Sequence, residues 1–174
     1  MKYRNLLFFF AILGIISVPI RHYVSTEIEK NQGLSNSCIF QQSSPACVAM
    51  FSSIEKHAKA YNVPLRYALG VAYIETRYTG PFDWKYNPER VSVAGALGPM
   101  QIMPGTAEMM WKKKIPKERI LCDIDFNVET SMKLLRHLYD KYGNWKTVFG
   151  CYNTGRPCVN GYAEKVYNFN PKTK

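Results

Sequence analysis

Apolar residues fall into two regimes along this chain: one unbroken run over residues 6–20, and a series of interrupted stripes from residue 46 onward. Over 46–61, Val48, Phe51, Ile54 and Ala58 recur at three- and four-residue steps, which is the period of one helix face. Pro64 suits a first helical turn, where its missing N–H costs nothing, and Leu65, Ala68, Leu69, Ala72 and Tyr73 extend a second predicted helix over 64–77. Residues 82–98 carry Trp84, Tyr86, Asn87, Pro88, Ser92, Gly95 and Gly98 without a sustained period. They are expected to form loop or short strand and one wall of a cleft. Past Pro104-Gly105, Thr106 can cap a short helix running to Trp111. Asn127 then opens the clearest amphipathic pattern, with Val128, Ser131, Leu135, Leu138 and Tyr142 on one face and Lys133, Arg136, Asp140 and Lys141 around the other. Shorter helices are expected over 145–152 and 162–167. No internal repeat or second core pattern appears, so a single mainly α domain is predicted over 46–170.

The run over 6–20 follows Lys2 and Arg4, the arrangement of an export signal, and is shorter than the roughly 20 apolar residues of a membrane span. Residues 1–21 are therefore expected to be a signal peptide or, since no Ala-x-Ala cleavage site follows, a retained signal anchor. Residues 22–45 form a polar leader. The membrane is expected as a partner only through this N-terminal segment, with the domain exported to the periplasm or cell envelope. The whole chain holds 23 Lys and Arg against 13 Asp and Glu; without Lys2, Arg4 and Arg21 the excess is still seven. That balance draws an exported protein to anionic surfaces. The run Lys112-Lys113-Lys114 stands without a nucleic-acid motif, so nucleic acid is not an expected partner. Five cysteines fit an oxidising compartment. Cys38 with Cys47, and Cys151 with Cys158, can each close a short loop, which leaves Cys122 as the expected free thiol, although spacing alone leaves the connectivity open. No Cys-x-x-Cys pair accompanies the three histidines, so neither a metal nor a cofactor is expected.

Glu75 lies on the apolar stripe of the second helix, on the face of Leu65, Ala68 and Ala72. Apolar surroundings disfavour the charged carboxylate, raise its pKa and let it hold a proton near neutral pH, as a general acid must. Asp83 and Glu89 follow in a loop with no such setting. Gly95 and Gly98 allow backbone to approach a ligand closely, while Met100 and Gln101 offer an apolar wall and an amide. The ordered set Glu75-Thr76, then Gly98-Pro99-Met100-Gln101-Ile102-Met103-Pro104, then Tyr152-Asn153-Thr154-Gly155 resembles the catalytic domain of soluble-type, goose-lysozyme-like lytic transglycosylases, over about residues 48–168. Departures from the family pattern are Thr76 for Ser, Pro99 for Leu, Cys151 for Ala and Thr154 for Ala. Thr76 keeps the hydroxyl; Pro99 removes a backbone donor.

The resemblance implies an α-rich, lysozyme-like domain with helices around a substrate cleft, acting on peptidoglycan glycan strands. Glu75 would be the catalytic residue, with Thr76, Met100, Gln101, Tyr152, Asn153 and Tyr162 binding substrate. A Tyr152 hydroxyl bonded to Glu75 or to the substrate N-acetyl group would fit that role. The family cleaves without water: the acid protonates the leaving oxygen, the N-acetyl group of N-acetylmuramic acid supports the sugar cation, and the C6 hydroxyl closes a 1,6-anhydro ring. Two other readings are a muramidase, with Asp83 or Glu89 assisting water, and a catalytically silent wall-binding or assembly protein. The small size suits local wall opening for an envelope-spanning secretion, conjugation or phage assembly.

Overall fold

A computed structural model of the chain describes Cys38 and residues 44–171. The export-like segment 1–21 and most of the polar leader lie outside the described residues. Among the described residues seven helices follow one another: α1 (Ala46–Ala60), α2 (Leu65–Thr76), α3 (Pro104–Trp111), α4 (Lys117–Cys122), α5 (Ile124–Tyr142), α6 (Trp145–Thr154) and α7 (Gly161–Tyr167).

Two kinds of residue start them. Pro45, Pro64 and Pro116 stand immediately before α1, α2 and α4 with extended ψ, and Pro104 is itself the first residue of α3. Asp123, Asn144 and Asn160 cap α5, α6 and α7, their side chains accepting from the N–H groups of Phe126, Thr147 and Ala163. The short helix therefore begins two residues before Thr106, because Pro104 fits the first turn without a cap. The long helix begins three residues before Asn127, which is completely buried. The lysine-rich segment after α3, with no apolar stripe long enough to show a period, hides the six-residue α4.

Helix α5 is the central element. Helix α1 lies along it, joined by Ser53 Oγ and His57 Nε2, each within hydrogen-bond distance of Asp125 Oδ1, and by Lys56 Nζ on Oδ2. Helix α6 packs between α5 and α7, and α7 returns to cover α2. Tyr67, Tyr139, Trp145, Phe149 and Tyr167 stack where α2, α5, α6 and α7 meet. Beneath them Val71, Ala72, Leu135 and Val148 are fully buried. Among the described residues there is no strand beyond isolated bridges, Val91 to Leu97 and Leu97 to Ile102. Leu97 and Ile102 exchange both backbone hydrogen bonds, at 3.0 and 2.9 Å, and so close a tight turn over residues 98–101.

One disulfide joins Cys38 to Cys122, 84 residues apart, while Cys47, Cys151 and Cys158 are free. This corrects the expected short loops and the expected free Cys122. Pairing by proximity in sequence fails because Cys47 and Cys151 face inward from α1 and α6 and are buried. Cys122 is the last residue of α4, where Cys38 meets it. The segment after α6 lies close to that helix at Gly150, where a Cβ would stand 1.9 Å from the Cys158 carbonyl oxygen, so no larger residue fits.

Candidate active site

Glu75 sits in the last turn of α2, half-buried, and its Oε1 accepts a hydrogen bond from the Tyr162 hydroxyl at 2.6 Å. Burial pushes its pKa above the ordinary carboxylate value, while the Tyr162 bond and the Arg90 charge pull the other way without cancelling the rise. Tyr162 is held in the first turn of α7 by the Asn160 cap. Burial, reinforced by the negative charge of Glu75, raises the Tyr162 pKa well above the ordinary phenol value, so its hydroxyl stays a neutral donor. The helix ends at Arg77, in the left-handed conformation at φ 63°, which turns the chain away immediately after Thr76.

Thr76 is buried. Its Oγ1 lies 2.9 Å from both the Pro99 carbonyl and the Tyr86 hydroxyl, and ties the end of α2 to the 98–101 turn. Met100, expected as an apolar wall, is fully enclosed in the core. It reaches the site through its backbone. Gln101, at φ 51°, gives both hydrogens of its amide to the carbonyls of Arg90 and Gly98, which tethers the loop before the turn. Tyr152 donates to the Met100 carbonyl at 2.7 Å and so accepts from Ser131 Oγ at 3.0 Å, a phenol having one proton to give. Burial and the Glu75 charge raise its pKa too. The partner of Glu75 is thus Tyr162, not Tyr152. Asn153 is exposed, and its Oδ1 accepts from Asn160, the residue that caps α7 below Tyr162.

Three further residues belong here that were not expected at the site. Tyr86 and Arg90 come from the unpatterned loop, and Ser131 from the inner face of α5, where a small polar residue gave no sign that it would meet Tyr152. Two hollows adjoin the site, and Glu75 lines neither. One of about 350 Å³ contains Thr76 with Arg77, Lys85, Arg90, Asp83 and Glu89. The other, about 490 Å³, runs from Tyr152 and Asn153 to Met103, Met109 and Leu134. The acid lies in the chain beside the first, and its charge is felt by Tyr152 in the second.

Residues 52–174 match the sequence profile of the family described as Transglycosylase SLT domain, well over half of the chain. This chain belongs to that family. Solved structures agree on the fold of this transglycosylase domain. The 70 kDa soluble lytic transglycosylase from Escherichia coli shares 26% identity over 67% of this chain, with a TM-score of 0.51. A 70-kDa soluble lytic transglycosylase in complex with bulgecin A shares 24% over 67%, with a TM-score of 0.52. The chain spans about 18% of the length of each. The transglycosylase domain is therefore mainly α, as its periodicity predicted, and lysozyme-like, as the resemblance implied.

Proposed function

We propose that this chain is a peptidoglycan lytic transglycosylase that cleaves the β-1,4 bond between N-acetylmuramic acid and N-acetylglucosamine, with Glu75 acting first as acid and then as base. The observation that carries the reading is one half-buried carboxyl whose Oε1 accepts from the Tyr162 hydroxyl at 2.6 Å, in surroundings whose burial raises its pKa. Protonated Glu75 gives its proton to the departing glycosidic oxygen as the bond breaks. The substrate N-acetyl oxygen supports the positive charge that develops on the muramic carbon. Ionised Glu75, now accepting from Tyr162, takes the proton of the C6 hydroxyl as that oxygen closes the anhydro ring. Each proton Glu75 loses it recovers, and water is not consumed.

Asp83 and Glu89 are the carboxylates a hydrolytic route would need, and both line the hollow beside Thr76. Asp83 Oδ2, however, accepts from Thr79 at 2.8 Å, and its charge acts on the Tyr86 hydroxyl. That supports the single-carboxylate route over a hydrolysis in which Asp83 assists water. Gln101, Tyr152 and Asn153 are the groups we place along the glycan, with Thr76 and Met100 supporting them from behind. The basic excess and the cysteine content support an exported enzyme working in the envelope, opening the wall locally for a larger assembly.

The test is release of soluble fragments from purified sacculi by the wild type and by Glu75→Gln. The substitution keeps volume and polarity but removes the transferable proton, so turnover is expected to vanish with the melting temperature unchanged. Retention of more than a few per cent of wild-type turnover would remove Glu75 from the role.

A further inference from the structure

We infer that Asn127 is a positioning residue for this site, acting through a single peptide plane, an inference that rests on the transglycosylase reading above. Asn127 is fully buried in the first turn of α5. Its Oδ1 accepts from the Met100 N–H at 2.9 Å, and its Nδ2 donates to Leu97 O at 2.9 Å and Ile120 O at 2.7 Å. Three of the four hydrogen bonds an amide can make are filled, and two of them go to the 97–102 turn. An apolar residue of similar size would serve packing alone, and a buried amide is tolerated only where it is bonded.

The route to the site is short. The Met100 N–H held by Asn127 and the Pro99 carbonyl that accepts from Thr76 belong to one peptide group, which is planar and rigid. No soft torsion lies between the Asn127 amide and the residue that follows Glu75. The next carbonyl along, Met100 O, holds Tyr152. Gly98 fits the same device. It has φ +74°, and a Cβ there would stand 2.5 Å from Asn127 Nδ2 and 2.7 Å from the Ile120 oxygen. The turn is therefore seated directly on the amide. Sequence alone pointed to Asn127 as the start of a helix; its neighbours in space assign it the 98–101 turn.

The test uses the full chain and soluble peptidoglycan fragments. Asn127→Leu, of similar volume, removes the acceptor for Met100 N–H together with the two donated bonds; Gly98→Ala disturbs the same contact from the turn and serves if the first variant does not fold. Each is expected to lower kcat per folded molecule about 10- to 100-fold, the scale of a misplacement of about 1 Å, with KM within about threefold. Amide hydrogen exchange should rise at Met100 while α1 stays protected. Ile54→Ala, which removes a buried side chain of α1, is the control for general destabilisation. It should leave kcat per folded molecule unchanged. Turnover that falls only with the folded fraction, as in the control, or exchange that rises evenly over the domain, would make Asn127 an ordinary core residue and overturn the inference. If the wild type itself releases nothing, the enzymatic reading fails, and the clamp is then judged on the Met100 amide alone.

Discussion

Breaking the Cys38–Cys122 bond should cost this domain a large part of its stability. The bond closes a loop of 84 residues. The loss of chain entropy in the unfolded state scales with the logarithm of that length and gives about 4.5 kcal/mol at 25 °C, with measured bonds more often at about 2–4. Against a typical total of about 5–15 kcal/mol, that is on the order of a third at the middle of the range. For a domain of this size it corresponds to a fall in Tm of roughly 10–15 °C. Guanidinium unfolding of the oxidised protein, of the same protein in reductant, and of Cys38→Ser/Cys122→Ser would measure it. The two perturbed samples should agree with each other to within about 1 kcal/mol, since each leaves Cys47, Cys151 and Cys158 as they are. Peptide mapping without reduction should find the 38–122 cross-link. A midpoint unmoved by reduction, or a map showing Cys38 joined to Cys47 or Cys151 joined to Cys158, would refute the reasoning.

Two further outcomes follow from single contacts. Tyr162→Phe removes the hydrogen bond that favours ionised Glu75, so the Glu75 pKa should rise further and the alkaline limb of the pH–rate profile should move to higher pH. A profile that keeps its position would show that the bond does not act on the acid. Asp125 would be raised by burial, but the hydrogen bonds from Ser53, Lys56 and His57 outweigh that and hold its pKa at about 2, below its ordinary 3.8. A depressed folded-state pKa stabilises above the unfolded value and is lost as pH falls from about 4 toward 2. With the carboxylate half-exposed, the contribution is under about 1 kcal/mol. Urea midpoints of wild type and Asp125→Asn should differ at pH 7 and converge near pH 2, and parallel curves over that range would contradict it.

What was legible in the chain is what periodicity records. The α5 stripe marks a face that is buried from Val128 to Leu138, while those of α1 and α2 do so in part: Ile54, Ala58, Ala68 and Ala72 are buried, Val48, Phe51, Leu69 and Tyr73 half-buried, and Leu65 exposed; the position of Glu75 on the α2 stripe carries its partial burial and raised pKa. Contacts that join distant segments leave no such trace. Tyr162 reaches Glu75 across 87 residues and Asn127 reaches Met100 across 27, and nothing local distinguishes either from a surface residue or a helix cap. Met100 read as cleft wall and became core, because the tight turn points its side chain inward and its carbonyl at Tyr152. The cysteines misled for the same reason: pairing by spacing assumes that neighbours in sequence face each other, whereas Cys47 and Cys151 turn into the core and Cys38 is bonded at the end of α4.

The central claim is that one carboxyl and the substrate's own hydroxyl suffice, and mass spectrometry of the glycan ends from digested sacculi tests it most directly. With Glu75 as the acid and base and the C6 hydroxyl as the attacking group, the new termini should be 1,6-anhydromuramic, about 18 mass units lighter than reducing ends through the loss of one water, and resistant to borohydride. Asp83→Asn and Glu89→Gln should give the same ends at most of the wild-type rate. Reducing ends as the main product, lost in either loop variant, would contradict the account and make this chain a hydrolase.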